Sequence, residues 1–307
     1  TTDLSKSEQG FYVTANGLKS DVFKVSIREP FAEDAYETIT YPVVFHLIQD
    51  KTKVELGQGV GADIVNYAFN TIYNCFARTA AFSPNGADTK IRFRLAEYDP
   101  NGRKMEEKGI NRYSLSTSDL NNLNPEKIKN NPKICWDYKR YLNIWIVENM
   151  GNSVSTPHYI LNTADLNLIQ GVSFEQLSLE EIEKQEYSLT DIGLIYGARD
   201  FAIEDVGYPT QMGKFFGLLD TENQKEDYCE DTFAYNTYKE PWNTALEGSN
   251  SRLKISSDGL LFYAVNIMDD GSYKNTISMD QVKRIRTITD NCPHRWAWKS
   301  DWAFTGK

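Results

Sequence analysis

Residues 208–220, YPTQMGKFFGLLD, carry the side chains whose types and spacing say most about chemistry. Thr210 and Lys214 are four positions apart, so on a helix they lie one turn apart on the same face. If a turn at Gly217 follows such a helix, it would bring Asp220 back towards Lys214. A hydroxyl, an ammonium and a carboxylate would then meet, and we expect an ion pair between Lys214 and Asp220. The alternative is that both charged side chains point to solvent.

The chain is poor in ligands for zinc. A catalytic zinc ion takes about three N, S or O ligands and keeps one position open for water. The sequence has three histidines, His46, His158 and His294, and no two of them are spaced to share one face of a helix. His46 stands inside an apolar run, where a lone histidine is usually a hydrogen-bonded core residue. The sequence therefore argues against a three-histidine zinc site.

Other catalytic arrangements are weak as well. The sequence contains no GxSxG, no Walker A motif and no GxGxxG after a strand. Cys292 and His294 could form a Cys–His pair, but an even number of scattered cysteines favours two disulfides in an oxidising compartment. The alternative is four buried thiols at Cys75, Cys135, Cys229 and Cys292.

Composition excludes two classes of partner. The 307 residues carry a net charge of −10, so no basic surface is available to neutralise the phosphates of a nucleic acid. No run of about 18 apolar residues is present, so no transmembrane segment is expected. The sequence begins at Thr1 without a methionine, which we interpret as trimming or as processing that removed an export signal.

The elements that must position residues 208–220 follow an α/β order. Apolar or alternating runs predict four strands, and a stripe at fourfold spacing predicts one long helix. The strands are Tyr41–Ile48, Ile91–Ala96, Leu142–Val147 and Ile192–Tyr196, and the helix is Ala62–Phe82. This order indicates a sheet packed against the long helix. A polar N-terminal extension, residues 1–38, precedes the predicted sheet and contains strand-like pieces at Phe11–Thr14 and Val22–Ile27.

Three further segments lie outside the predicted sheet. Residues 101–131 and 173–189 are hydrophilic, and Leu179–Glu186 in the second predicts a solvated helix. A capping box at Ser278 and Gln281 predicts the start of a C-terminal helix with an apolar face.

Residues 208–220 resemble the zinc-binding helix of the metzincin metallopeptidases, in particular the pappalysin-like family. That family carries H-E-x-x-H-x-x-G-x-x-H, in which three histidines bind zinc and the glutamate is the general base. In pappalysin-like members the pattern reads H-E-x-G-H-x-x-G-L-x-H, and Gly213 and Gly217 match its two glycines. The ligand and base positions are replaced by Thr210, Gln211, Lys214 and Asp220. An amide cannot accept a proton at neutral pH, so the base is lost as well as the ligands.

Two later segments extend the resemblance, which covers residues 40–290. CEDTFAYNT, residues 229–237, resembles the family's calcium-binding loop, and VNIMDD, residues 265–270, resembles its Met-turn. The resemblance implies Met268 beneath the former zinc site and Asp270 in place of a tyrosine that assists catalysis. Possible calcium ligands are Asp227, Glu230, Asp231, Asn236 and Thr237.

The implied fold is a metzincin-like zincin fold of the α/β (α+β) class. It has a twisted, mostly parallel sheet with an antiparallel edge strand on a long helix, an active-site-type helix and an irregular C-terminal subdomain with the Met-turn and a helix. We expect subdomains at residues 39–220 and 221–307. Four cysteines allow three pairings, of which we favour Cys229–Cys292 and Cys75–Cys135.

The resemblance implies an extracytoplasmic protein: secreted, periplasmic or a cell-surface lipoprotein. We expect a monomeric pseudopeptidase that holds no zinc, has a candidate calcium site, and binds a peptide, a protein or a glycan in the former active-site cleft. Ser153, Ser155, His158 and Lys214 are the candidate ligand-binding residues, the first three on an edge segment suited to strand addition. The alternatives are an active metalloendopeptidase with an unusual zinc or other-metal site that includes Asp220, and a structural surface domain.

Overall fold

The computed structural model describes eleven parts of the chain and divides it into two compact units, residues 1–35 and 36–307. The described residues are 8–26, 34–53, 60–79, 86–150, 159–161, 169–203, 207–222, 226–235, 253–257, 259–270 and 274–307. No helix within these ranges is long and apolar enough to cross a membrane. The division of the larger unit at residue 220 stays a prediction.

The smaller unit is a pair of nested antiparallel ladders. Strands β1 (Glu8–Phe11) and β4 (Phe23–Ser26) pair with each other, and β2 (Thr14–Ala15) pairs with β3 (Leu18–Lys19) between them. The unit ends at residue 35, three residues before the predicted end of the N-terminal extension.

A five-stranded parallel sheet organises the larger unit. Its centre is β5 (Ile39–Asp50), which pairs on one side with β8 (Leu142–Val147), and β8 pairs with β11 (Gly193–Gly197). On its other side β5 pairs first with β6 (Ile91–Leu95) and then with β7 (Ile110–Leu115). Strands β5 and β8 are buried almost throughout, as expected for parallel strands covered on both faces.

One prediction about this sheet needs correction. Strand β7 lies inside the stretch that we expected to be merely hydrophilic. It is an edge strand in which partly buried and exposed residues alternate after Ile110, and three of its six residues are polar. The expected antiparallel edge strand stays a prediction, because most of the segment after β8 lies outside the described residues. Strand β9 (Tyr159–Leu161) pairs in parallel with β10 (Phe174–Gln176) in a separate two-stranded ladder. Residues 151–158 lie outside the described parts.

The long helix is shorter than predicted. Helix α1 runs from Ala62 to Phe76, not to residue 82. It ends where the backbone of Arg78 enters the left-handed region, with φ at 55°, which cannot continue a right-handed helix. Its buried face includes Ala68, Ile72 and Phe76, as the fourfold spacing predicted.

Shorter elements complete the unit. The helices are α2 (Thr117–Asn121), α3 (Pro125–Lys129), α4 (Leu179–Lys184), α5 (Leu189–Ile192), α6 (Ala198–Ala202), α7 (Tyr208–Phe215), α8 (Met279–Asn291), the 3₁₀ segment Pro293–Lys299 and α9 (Trp302–Thr305). Strands β12 (Leu253–Ile255) and β13 (Leu261–Tyr263) form an antiparallel pair. Helix α8 begins at the predicted capping box of Ser278 and Gln281, and Val282, Ile285 and Ile288 are buried. Both predictions for this helix are confirmed.

Neither predicted disulfide is present in this structure, in which all four cysteines are thiols. Cys75 directs its Sγ towards the carbonyl of Lys274, whereas Cys135 packs on the cluster around Trp145. Cys292 belongs to a third cluster with Tyr159 and Ile288. The predicted partners Cys75 and Cys135 therefore have different surroundings. Burial raises the pKa of Cys135 to about 11, which keeps it protonated at neutral pH.

Candidate functional site

Helix α7 and the turn that follows it position the candidate site. Pro209 stands in the first turn, where its missing N–H costs nothing. At the other end Gly217 has φ at 91°, a conformation that L side chains rarely adopt. A Cβ at Gly217 would also lie 2.7 Å from Ile288 Cγ1. Arg284 Nε donates to the Gly217 carbonyl. Helix α8 therefore fixes the predicted glycine turn.

Beyond this turn, Lys214 and Asp220 form the predicted ion pair. Lys214 Nζ lies 2.9 Å from Asp220 Oδ1 and 3.0 Å from Oδ2. The side chains are 21% and 27% exposed. The ammonium therefore faces both carboxylate oxygens in a partly desolvated position, and the prediction is confirmed. The backbone carbonyl of Lys214 accepts a short hydrogen bond from the Tyr159 hydroxyl, which ties the helix to β9.

The other two replaced positions are buried in α7. Thr210 is 7% exposed, and its hydroxyl donates to the Ile267 carbonyl at 2.6 Å. Gln211 is buried as well. A Cβ at Gly213 would lie 3.0 Å from Met268 Sδ. The segment that contains Met268 therefore packs directly against α7, where the resemblance to a Met-turn placed it.

The turn around Met268 is held by its own polar side chains. Met268 N donates to Asn266 Oδ1 at 2.9 Å. Asp269 accepts from the Asn266 backbone at 2.9 Å and from Thr221 Oγ1 at 2.6 Å. Burial raises the pKa of Asp269 to about 6, although these hydrogen bonds act in the opposite direction. Asp270, in the position of the family's tyrosine, lies 3.4 Å from Lys254 Nζ.

A second ammonium, which the sequence reasoning missed, approaches the start of α7. Lys274 is half-buried. A Cβ built on Gly207 would lie 3.8 Å from Lys274 Nζ and 3.0 Å from Thr210 Oγ1. Burial lowers the pKa of Lys274, and the charges of Asp270, Asp269 and Asp220, in that order, oppose the shift. Lys274 lies 60 positions after Lys214 in a loop, so no spacing in the sequence signals it.

The residues present do not fit a catalytic zinc ion. Of the three ligand positions, one holds a hydroxyl that donates to a carbonyl and one holds a cation. The third, Asp220, already neutralises that cation. An ammonium so close would repel a divalent ion. Within the described ranges, no three His, Cys, Asp or Glu side chains form a group that could hold a metal.

The histidines have other environments. His46 is fully buried in β5, and its Nε2 lies 2.9 Å from Asn143 Oδ1. Its Nδ1 lies 2.9 Å from Asn111 Nδ2. Burial lowers the pKa of His46 to about 4. The prediction of a hydrogen-bonded core histidine is confirmed. His294 is buried beside the rings of Tyr138 and Tyr187.

Two candidate calcium ligands accept hydrogen bonds from other residues of the protein. Asp227 accepts from Thr232 Oγ1 at 2.8 Å and from the Cys229 backbone at 3.1 Å. Asp231 accepts from Ser278 Oγ at 2.6 Å and from Asp280 N at 2.9 Å, which caps α8. The remaining candidates are Glu230, which is exposed, and Asn236 and Thr237, which lie outside the described residues. A calcium site in this loop stays a prediction.

Three of the four candidate ligand-binding residues, Ser153, Ser155 and His158, also lie outside the described residues. Their role stays a prediction. Lys214 is the one candidate that the described site contains.

Comparison with known proteins identifies the fold. No protein-family model matches the chain, and no curated protein matches it. Among solved structures, a variant of Tannerella forsythia promirolysin is 20% identical over 88% of this chain and 87% of its own, with a TM-score of 0.54. Mature Tannerella forsythia mirolysin in complex with a cleaved peptide is 19% identical over 87% and 97%, with a TM-score of 0.53.

Mirolysin in complex with a small compound is 18% identical over 88% of this chain and 99% of its own, with a TM-score of 0.55. Mirolysin is a metallopeptidase of the metzincin type. This chain therefore has a metallopeptidase-like fold, with a mostly parallel sheet and helices.

Proposed function

We propose that this protein is a pseudopeptidase, a pappalysin-like relative of the metzincins that binds a peptide in the former active-site cleft without hydrolysing it. The observation that carries the proposal is the ion pair of Lys214 with Asp220 on a metallopeptidase-like fold. The pair fills two of the three positions that zinc ligands occupy in the family pattern. Gln211, in the position of the general base, cannot accept a proton at neutral pH.

The charges of the site favour a ligand with exposed oxygen atoms. Lys214 and Lys274 both lie at α7, and both are partly withdrawn from water. A peptide carbonyl or a terminal carboxylate could accept hydrogen bonds from them. Such bonds are stronger when one partner is charged. One solved neighbour, mirolysin, is bound to a cleaved peptide, which supports a peptide as the ligand class for this chain also.

The remaining parts of the proposal follow the resemblance. We place the protein outside the cytoplasm, as a monomer, and include calcium in the loop at residues 227–237. These parts are independent of the cleft, so a failure of any of them leaves the peptide-binding proposal intact.

Cleavage and retention of a peptide library separate the proposal from an active enzyme. The purified protein is incubated with the library in the presence of zinc, and bound and free peptides are identified by mass spectrometry. We expect a subset of intact peptides to be retained and no new termini to appear. Chelator-sensitive cleavage that is lost in Asp220→Ala would show an active metallopeptidase and overturn the proposal.

Binding of a retained peptide is then measured in two lysine variants. Lys214→Ala removes the ammonium from the cleft, whereas Lys184→Ala removes an exposed lysine on α4. We expect Lys214→Ala to weaken binding about tenfold, the effect of losing one charge-assisted hydrogen bond, and Lys184→Ala to leave it unchanged. If no peptide in the library is retained, the protein is better described as a structural domain.

A further inference from the structure

A small pocket lies beside the start of α7, apart from the Lys214–Asp220 pair. It has a volume of about 280 Å³ and is lined by residues from three helices. These are Asp63, Ile64 and Tyr67 from α1, Ala202 at the end of α6 with Ile203 after it, and Tyr208 from α7. Drug-sized ligands need pockets of about 300–1,000 Å³, so this one suits a single side chain.

Two tyrosine rings give the pocket its shape. The centroids of Tyr67 and Tyr208 are 6.3 Å apart, and the ring planes meet at 76°. Tyr208 is 1% exposed, and its hydroxyl donates to the Phe201 carbonyl, so this ring is a fixed wall. Tyr67 is 57% exposed and forms the open rim. A cation placed within about 6 Å of a tyrosine face is attracted by the ring quadrupole.

The described lining of the pocket carries one negative charge and no positive charge. Asp63 is the one charged residue among its described lining residues, and it is exposed in the first turn of α1. No described lysine or arginine lines the pocket with it. An exposed carboxylate beside two aromatic rings complements a ligand that carries positive charge on an apolar stem.

We propose that this pocket binds the lysine or arginine side chain of a peptide or protein partner. The methylene stem would pack on Ile64 and Ile203, the cationic head would lie over Tyr67, and Asp63 would neutralise it. The ligand backbone would remain outside, because the rim at Tyr67 and Ile203 is open to solvent. The inference does not depend on the absence of hydrolysis at α7, since the pocket shares no residue with the Lys214–Asp220 pair.

Chemical-shift titrations with three blocked tripeptides test the proposal. Acetyl-Gly-X-Gly-amide carries lysine, arginine or uncharged norleucine at X. We expect the lysine and arginine peptides to shift the amides of residues 62–68, 202, 203 and 208, and to bind about threefold or more tighter than norleucine, in line with an exposed ion pair plus a cation–π contact. Equal binding of norleucine, or shifts at other residues, would overturn the proposal. Binding of n-butylammonium as tight as that of the lysine peptide would assign the site to a free amine instead.

Substitutions test whether the preference for lysine depends on the pocket itself or on the net negative charge of the protein. Asp63→Asn should remove the preference for lysine over norleucine, whereas Glu106→Gln, the same charge change at an exposed acid outside the lining, should keep it. Tyr67→Phe retains the ring and should bind the lysine peptide as tightly as the wild type, and Tyr67→Ala should bind it more weakly. Asp63 also stabilises the first turn of α1, so the lysine-to-norleucine ratio decides the outcome, not the absolute affinity. An unchanged ratio in Asp63→Asn would contradict the proposal.

Discussion

The central sheet and the site at α7 accommodate titratable side chains differently. In the sheet, His46 has no contact with water and is neutral at pH 7, because burial lowers its pKa to about 4 and two asparagines match its two ring nitrogens. At α7, Lys214 and Asp220 remain partly exposed and pair with each other. His46 in the sheet therefore depends on neutral hydrogen-bond partners at fixed positions. Substitution of Lys214 or Asp220, in contrast, should change the free energy of unfolding only slightly.

The largest expected effect lies in the sheet. Asn143 is fully buried, and its side-chain amide forms hydrogen bonds with His46 Nε2, the Trp136 backbone and the Tyr141 carbonyl. Asn143→Leu leaves these groups without partners in the core, and we expect it to lower the free energy of unfolding by about 3 kcal/mol or more. Chemical denaturation measures the loss, with the exposed Asn122→Leu as a control that should change stability by about 0.5 kcal/mol or less. A small loss in Asn143→Leu would contradict the account of the sheet.

An intermediate effect is expected beneath the site, where Asp269 is buried and has a pKa of about 6. Because this pKa lies above the ordinary value, the folded chain binds the proton more tightly than the unfolded chain. The resulting stability is fully present below about pH 4 and is lost as the pH rises through about 6.

Comparison of the wild type with Asp269→Asn measures this contribution. Acidification from pH 7 to pH 4.5 should stabilise the wild type relative to the variant by about 1–2 kcal/mol. Denaturation of both proteins at the two pH values gives the difference directly. A wild type that loses stability relative to the variant on acidification would reverse the predicted sign.

The smallest effect on stability is expected for the ion pair itself. Because Lys214 and Asp220 are both partly exposed, solvent screens their attraction. A double-mutant cycle with Lys214→Met and Asp220→Asn should give a coupling energy of about 1 kcal/mol or less. A coupling of about 3 kcal/mol would place the pair in the same class as the sheet and remove the contrast between the two regions.

The sequence predicts the regular parts of this molecule because their signals are local. The apolar runs of β5 and β8 and the capping box of α8 each depend on neighbouring residues. The Lys214–Asp220 pair is also local, since one helical turn and one glycine turn bring the two residues together. These predictions are confirmed.

The features that the sequence did not predict depend on distant packing. Strand β7 is recognisable only beside the second half of β5, because three of its six residues, Asn111, Arg112 and Ser114, are polar. Lys274 reaches α7 from a loop near the Met268 turn. Cys135 and Cys292 lie in separate hydrophobic clusters, which no spacing along the chain reveals.

Zinc titration tests the central claim most directly. Calorimetry is performed on the wild type and on a variant in which Thr210→His, Lys214→His and Asp220→His restore the three ligand positions of the family pattern. We predict no stoichiometric zinc binding by the wild type and measurable binding by the variant, because the proposed relationship to the metzincins places these three positions around one site. Tight, stoichiometric zinc binding by the wild type that is lost in Asp220→Ala would contradict the account.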